Sequence, residues 1–342
     1  YKMANRIANV IPHMKSYVLG KRTISIHSYD RDKNKFKEAN EFEIKLPETF
    51  TNIQAIRLVN LDMPDNLFVF TNKYQNTKLS FKMIASNTIY TIEIQEGRYT
   101  VEQLVTELAR KMNKAVSNTY NKFICKHNVI NNTIWFGNTQ DNFNLLFNRE
   151  EVYSLPSGYV RVFRNDKFWG LPYYLGFEKK EYTSNQTNSN YGFDYEHPTE
   201  WLTASGYFVD STNNKELNLC GHKIIYMELD KKNKIDELTP YSKKTSTMYG
   251  NDYSGKTGSA FAKLIFEKDD NKSVLDTNTE KKISYYSPAL RHIDRLRFRF
   301  RFHDQLLVDF RNRDFSFSLE FTMLMDSQEA QPFTVPKSLV LS

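Results

Sequence analysis

From Ile293 to Phe302, apolar Ile293, Leu296, Phe298, Phe300 and Phe302 interleave with Arg295, Arg297, Arg299 and Arg301. A two-residue step places the two kinds of side chain on opposite faces of one strand. After a polar break at His303-Asp304-Gln305 come Leu306-Leu307-Val308-Asp309-Phe310. Beyond Arg311–Asp314, Phe315, Phe317, Leu319 and Phe321 then alternate with Ser316, Ser318, Glu320 and Thr322. The pattern predicts that residues 288–325 form a closing meander of three strands, each with one face to bury. Upstream, strands are expected at Thr23–Ser28, at Phe42–Leu46 stopped by Pro47, and at Ile53–Leu61 closed by Met63-Pro64. A hairpin is expected from Leu79–Met83 and Ile89–Ile94, and further strands at 122–125, 133–136, 143–147, 224–229 and 260–266. The periodicity changes once. Thr100 is a helix cap, and Val101, Leu104, Val105, Leu108 and Met112 recur at helical spacing, predicting an amphipathic helix near 100–113.

These elements define a mainly β chain of antiparallel sheets, expected as a jelly-roll-like sandwich with one helix. Its 342 residues suffice for one large or two ordinary domains. The expected organisation is an N-terminal arm at 1–20, a β-rich domain with the helix at 21–182, a second β domain at 183–325 and a tail at 326–342. The polar, low-complexity run at 183–192 marks the boundary, and the second domain carries a long polar loop at 230–258. The strongly aromatic stretch from Tyr159 to Phe177 reads as a buried junction between sheets rather than an exposed platform.

Phe and Tyr, at 25 and 21 residues, far outnumber the 12 Gly, which agrees with strands over helices. The net charge of +7 is spread among both signs and singles out no partner. Cys125 and Cys220 stand far apart, so neither a disulfide framework nor a cysteine zinc site is indicated, and both are expected as reduced thiols. No apolar run is long enough for a transmembrane helix, and the first residues lack the apolar core of a secretory signal.

Catalytic constellations are not found. Gly250 to Thr257 fits the spacing of a phosphate loop, but such a loop must follow a buried strand and open a helix. Here the flanks are polar Pro240–Tyr249 and a strand-like Ser259–Phe266. The seven histidines, His13, His27, His127, His197, His222, His292 and His303, lack metal-ligand spacing. The reading is a non-enzyme with no catalytic, cofactor-binding or metal residues and no cofactor. The candidate interaction surface is Arg295, Arg297, Arg299 and Arg301. Four guanidinium groups on one face repel one another unless carboxylates on neighbouring strands, an acidic protein or nucleic-acid phosphates lie among them.

Several stretches resemble virion proteins of nucleocytoplasmic large DNA viruses. They are Phe42-Glu43-Ile44-Lys45-Leu46-Pro47, Ile56-Arg57-Leu58, the strand-to-helix element Tyr90–Thr100, Leu175-Gly176-Phe177, Ala260–Lys263, Ile293–Leu296, Asp309-Phe310 and Asp314–Glu320. The resemblance implies a minor capsid protein that cements major capsid capsomers of a giant icosahedral virus, or alternatively the penton at a vertex. Its implied partners are the major capsid protein and other minor capsid proteins, with possible self-association. Its implied location is the capsid shell, assembled in the host cytoplasm. The alternative from another class is a nucleic-acid-binding virion protein using the arginine face, with nucleic acid the disfavoured partner.

Overall fold

A computed structural model describes residues 17–64, 67–149, 169–186, 202, 206–209, 211, 215–238, 257–269, 272–275, 282–303 and 305–326. In chain order the strands and helices are β1 (Tyr17–His27), β2 (Glu41–Asp62), β3 (Lys78–Met83), β4 (Thr88–Glu93), α1 (Val101–Val116), β5 (Phe123–Asn128), β6 (Thr133–Asn138) and β7 (Phe143–Leu146). They continue with α2 (Leu171–Tyr174), β8 (Glu181–Thr183), β9 (Asn185–Gln186), β10 (Tyr207–Val209), β11 (Ile224–Leu229), β12 (Ile235–Leu238), β13 (Thr257–Ala260), β14 (Ala262–Asp269), β15 (Lys272–Leu275), β16 (Ile283–Arg301) and β17 (Ser316–Asp326). The fold is mainly β and its described strand pairs are antiparallel.

The chain divides into two compact units, one made of Tyr1–Asp65 with Ile224–Ser342 and the other of Asn66–Lys223. The boundary expected at 183 falls inside the second unit, where β8 pairs with β7. The physical reason is long-range pairing. Tyr17 sits opposite Asp326, so the two ends of the described chain close one sheet, and the intervening unit is an insertion. Of the arm expected at 1–20, residues 17–20 belong to β1. Of the tail, Asp326 closes β17. Their remaining residues lie outside the described ones, as do 239–256 of the long loop, whose flanks pair as β12 and β13.

The first unit is built on a seven-stranded sheet ordered β1-β17-β2-β16-β11-β14-β15. β2 covers two of the expected strands in one continuous element of 22 residues, because Pro47 sits at a bulge instead of ending it. Phe50 pairs with Ile293 and Lys45 with Arg295, so residues 46–49 of β2 face Asp294 alone. On β16 the converse occurs. Ala55 pairs with Tyr285 and Ile53 with Leu290, so residues 286–289, including Pro288, face Gln54 alone. Proline has no N–H to give a ladder and is tolerated where pairing is interrupted.

These bulges let β2 curl. A straight strand would hold residues 42 and 62 about 65 Å apart. Yet Asp62 pairs with Ser316, and the ring of Phe42 lies 6.3 Å from that of Phe315. Phe298, the register partner of Phe42 at 5.4 Å, is brought by the curl against Phe317 at 4.9 Å, and Phe300 against Phe315 at 5.0 Å. The closing three-strand meander is not formed. β2 lies between β16 and β17, and Leu306–Phe310 adds only a bridge between Leu307 and Arg301. Alternation determines which face is buried, not which strands are neighbours.

The second unit holds two four-stranded sheets, ordered β4-β3-β7-β8 and β5-β6-β10-β9. The expected hairpin is present as β3 and β4, paired from Lys78 with Glu93 to Met83 with Thr88. The ring of Phe123 joins the two sheets, 5.0 Å from Phe81 and 5.2 Å from Phe143. Helix α1 starts at a capping box: the Thr100 hydroxyl accepts from the Gln103 backbone N–H, and the Gln103 side chain accepts from the Thr100 backbone N–H. Its stripe of Leu104, Leu108 and Met112 is fully buried. Trp169, Leu171, Tyr174, Leu175 and Phe177 of the aromatic stretch are buried in the same core, while 159–168 lie outside the described residues. Gly176 has a φ of +88°, and a Cβ there would collide with the Lys215 carbonyl, so this turn requires glycine.

Phe298 touches rings from both ends of the curled strand system and is fully buried. Phe298→Ala is expected to lower stability by about 3–5 kcal/mol. Chemical denaturation followed by near-ultraviolet circular dichroism would measure it.

Candidate interaction surface

The outward side chains of β16 meet carboxylates from both neighbouring strands. In register, Arg295 lies opposite Lys45 and Arg297 opposite Glu43, while Arg299 lies opposite Glu41 on one side and Glu228 on the other. The ion pairs to β2 run diagonally. Arg295 Nη1 is 3.0 Å from Glu43 Oε1, and Arg297 reaches past Glu43 to Glu41. Arg299 Nη1 lies 3.7 Å from Glu228 Oε2 on β11. The offset follows from charge: Arg295 faces Lys45 and leans away from it, which shifts the pairing by one position. These three arginines are about half exposed. Pairs of this kind contribute about 0.2–1 kcal/mol each, so their carboxylates can be exchanged for others at small cost.

Arg301 departs from the other three. Its side chain is 0% exposed, which removes it from the surface expected from the alternation. Its Nη1 donates to Glu237 Oε2 at 2.8 Å and to the Phe302 carbonyl at 3.2 Å, and its Nε donates to Glu228. Nη2 donates to the Ser259 carbonyl at 3.4 Å, and the guanidinium lies 5.1 Å from the centre of the Tyr226 ring. The other Glu237 oxygen meets Nδ1 of His303. The cover comes from the β12–β13 pair, which brings Glu237 and Ser259 over this end of β16. Gly258 permits the approach, since a Cβ there would lie 3.3 Å from both Arg301 Nη2 and Glu237 Oε2. Burial, and after it the Glu237 carboxylate, push the Tyr226 phenol above its ordinary range.

Thr257, the last residue of the phosphate-loop match, opens strand β13 rather than a helix; Gly250–Lys256 lie outside the described residues. His127 Nε2 is 3.0 Å from Asn132 Oδ1 and His303 belongs to the Arg301 cluster, while His13 and His197 lie outside the described residues. Among the described residues, no group of three or more His, Cys, Asp or Glu is arranged to hold a metal ion, and no helix is long and apolar enough to cross a membrane. Cys125 and Cys220 are free thiols, and burial raises the pKa of Cys125.

Sequence reasoning missed the counter-charges Glu41, Glu43, Glu228 and Glu237. Glu41 and Glu43 alternate with Phe42 and Ile44 on β2, which marks an acidic outward face to match the basic one. Glu237 has no such signal, because it stands in a polar run whose pairing with 257–260 leaves no hydrophobic pattern.

Residues 16–134 match the model of a family of unknown function, DUF5901. No curated protein matches by sequence. Among solved structures, the crystal structure of the selenomethionine-labelled mavirus penton protein aligns with a TM-score of 0.42 and 12% identity, covering 91% of this chain and 100% of that one. A chain of the Sputnik virophage structure, determined by cryo-EM at 3.5 Å, aligns with a TM-score of 0.35 and 9% identity, covering 89% and 98%. Scores of this size assign neither fold nor role.

Arg301→Gln leaves Glu228 and Glu237 without their shared cation and is expected to lower stability by about 3–5 kcal/mol. Arg297→Gln on the open face should cost at most about 1 kcal/mol. Urea denaturation of the two variants, side by side at neutral pH, tests the difference. In the native protein, a thiol reagent such as Ellman's should label half-buried Cys220 and leave buried Cys125 unreacted until denaturant is added.

Proposed function

We propose that this chain is a non-enzymatic structural component of the shell of a large icosahedral DNA virus, assembled in the host cytoplasm. In this reading it cements major capsid capsomers from beneath or between them, in contact with the major capsid protein and other minor capsid proteins. The observation that carries it is where the virion-like stretches fall. Phe42–Pro47, Ile56–Leu58, Ile293–Leu296 and Asp314–Glu320 come from opposite ends of the sequence and converge on the adjacent strands β17, β2 and β16. Half of the resembling stretches thus share three adjacent strands, while Tyr90–Thr100 and Leu175–Phe177 lie in the inserted unit. Tyr17 pairs with Asp326, so β1 begins where β17 ends; in this reading the residues before and after them serve as arms to neighbouring subunits.

The exposed arginines Arg295, Arg297 and Arg299 are the acidic-partner face in this reading, with Arg301 holding the hairpin behind them. Nucleic acid is less favoured, because Glu41, Glu43 and Glu228 leave this face close to neutral, without the positive excess that phosphate-backbone binding draws on, whereas exchange of one carboxylate for a partner's needs no such excess.

The test is cross-linking mass spectrometry on purified virus particles, reading partners of Lys15, Lys243, Lys244 and Lys337. The expected result is links to the major capsid protein. Links solely among copies of this chain would place it at the vertex as a penton, and absence from particles would overturn the shell reading.

A further inference from the structure

The geometry points to the free edge of β1 as a docking site for an extended acidic strand donated by a different protein. β1 is the terminal strand of the seven-stranded sheet and pairs only with β17 among the described strands. Its register runs through eleven pairs, from Tyr17 with Asp326 to His27 with Ser316, without a bulge. Of the means by which edges are blunted, β1 has no bulge, no proline and no shortness; it has only charge, in Lys21, Arg22 and His27.

The direction of its backbone groups follows from one hydrogen bond. Just beyond the strand, the Ser28 N–H donates to the Phe315 carbonyl at 2.8 Å, so Ser28 points toward β17. In an antiparallel ladder this orientation alternates, so residues 26, 24, 22, 20 and 18 also point toward β17. Leu19, Lys21, Thr23, Ser25 and His27 therefore present N–H and C=O to the open side. That is a template for an added strand.

Charge decides what kind of strand. β1 contains Lys21, Arg22 and His27 but no carboxylate. On the outward face, Lys21 and Arg57 share a single carboxylate, Glu320, at 3.4 and 3.1 Å, which leaves the cluster one positive charge in excess. The Arg57 Nε is buried without a hydrogen-bond partner. Arg22, on the other face, is already paired with Glu48, and a second copy of β1 is a poor occupant because it carries no carboxylate: full-length antiparallel self-pairing sets Thr23 against Lys21. An incoming strand with a carboxylate opposite Lys21 relieves the excess. Apolar residues opposite Val18 and Leu19, which are 47% and 58% exposed, cover the other end. The inference stands on the sheet alone and does not depend on the shell reading.

The test uses the full chain and two fluorescein-labelled peptides, one alternating valine with glutamate and the other valine with lysine. Fluorescence anisotropy should give the acidic peptide an affinity at least about tenfold higher. Its binding should protect the amides of Leu19, Lys21, Thr23 and Ser25 from hydrogen exchange. Thr23→Pro removes one outward N–H while sparing the bonds to β17, and should abolish binding. Lys21→Gln, which leaves the backbone untouched, should remove the preference between the peptides. Equal affinity of the wild-type chain for both peptides, protection elsewhere in the chain, or undiminished binding to Thr23→Pro would each overturn the proposal. So would concentration-dependent dimerisation, in analytical ultracentrifugation, that Thr23→Pro abolishes.

Discussion

The curl of β2 is the constraint on which the first unit depends. Over Ile53–Arg57 this strand is paired on both edges, to β16 and to β17, so its path sets the positions of both. If it ran straight, Phe42 would stand far from the strands that pair near Asp62. The inner-face phenylalanines of β16 and β17 would then face water. Burial of one such side chain is worth about 1.5–3 kcal/mol, and Phe42, Phe298, Phe300 and Phe317 are all buried together. The irregular positions at 46–49, at Gln54 and at Val59 are therefore the structural requirement for that core, each adding bend and twist to a sheet that must curl over its own inner face.

The same sheet explains the organisation of the chain. Tyr17 finds its partner at Asp326, a pairing that carries a large loop-closure cost and gives the first unit a high contact order. The inserted unit is built the other way. β3 pairs with β4 and β5 with β6 across short turns, and α1 lies between the two hairpins in sequence with its own cap and buried stripe. Its local contacts need nothing from β16 or β17. Local pairs thus weigh more in the inserted core, to which β8 and β10 add distant ones.

What could be read from the residues follows this division. The helix and the β3–β4 hairpin were legible because cap, period and turn all lie within a short window. The faces of β16 were legible from Leu296 to Phe300, but the reading as a strict two-residue step passed over the slip at its corner: Ile293 and Leu296 are three apart, and between them Asp294 and Arg295 both face solvent, opposite the bulge at 46–49. Partners were not legible. Alternation at Phe315–Phe321 is equally compatible with pairing to β16 or to β2, and the hydrogen bonds that choose β2 involve residues more than two hundred positions away. Pro47 reads as a stop by the ordinary rule, and only the interrupted ladder around it lets the strand continue.

The candidate surface shows the same limit in its charges. Arg299 and Arg301 are identical by type and by alternation, and both reach Glu228. Arg299 keeps access to water, so its interaction is weak and replaceable. Arg301 lies under Glu237 and Ser259, where water cannot substitute for a lost carboxylate. The difference is made by the β12–β13 hairpin, not by the strand that carries the two arginines. A guanidinium fixed by two carboxylates and two carbonyls holds that hairpin to the sheet. Its exposed neighbours remain able to trade an internal glutamate for one from another molecule. One row of arginines thereby serves two ends, internal anchorage where it is covered and exchangeable contact where it is open.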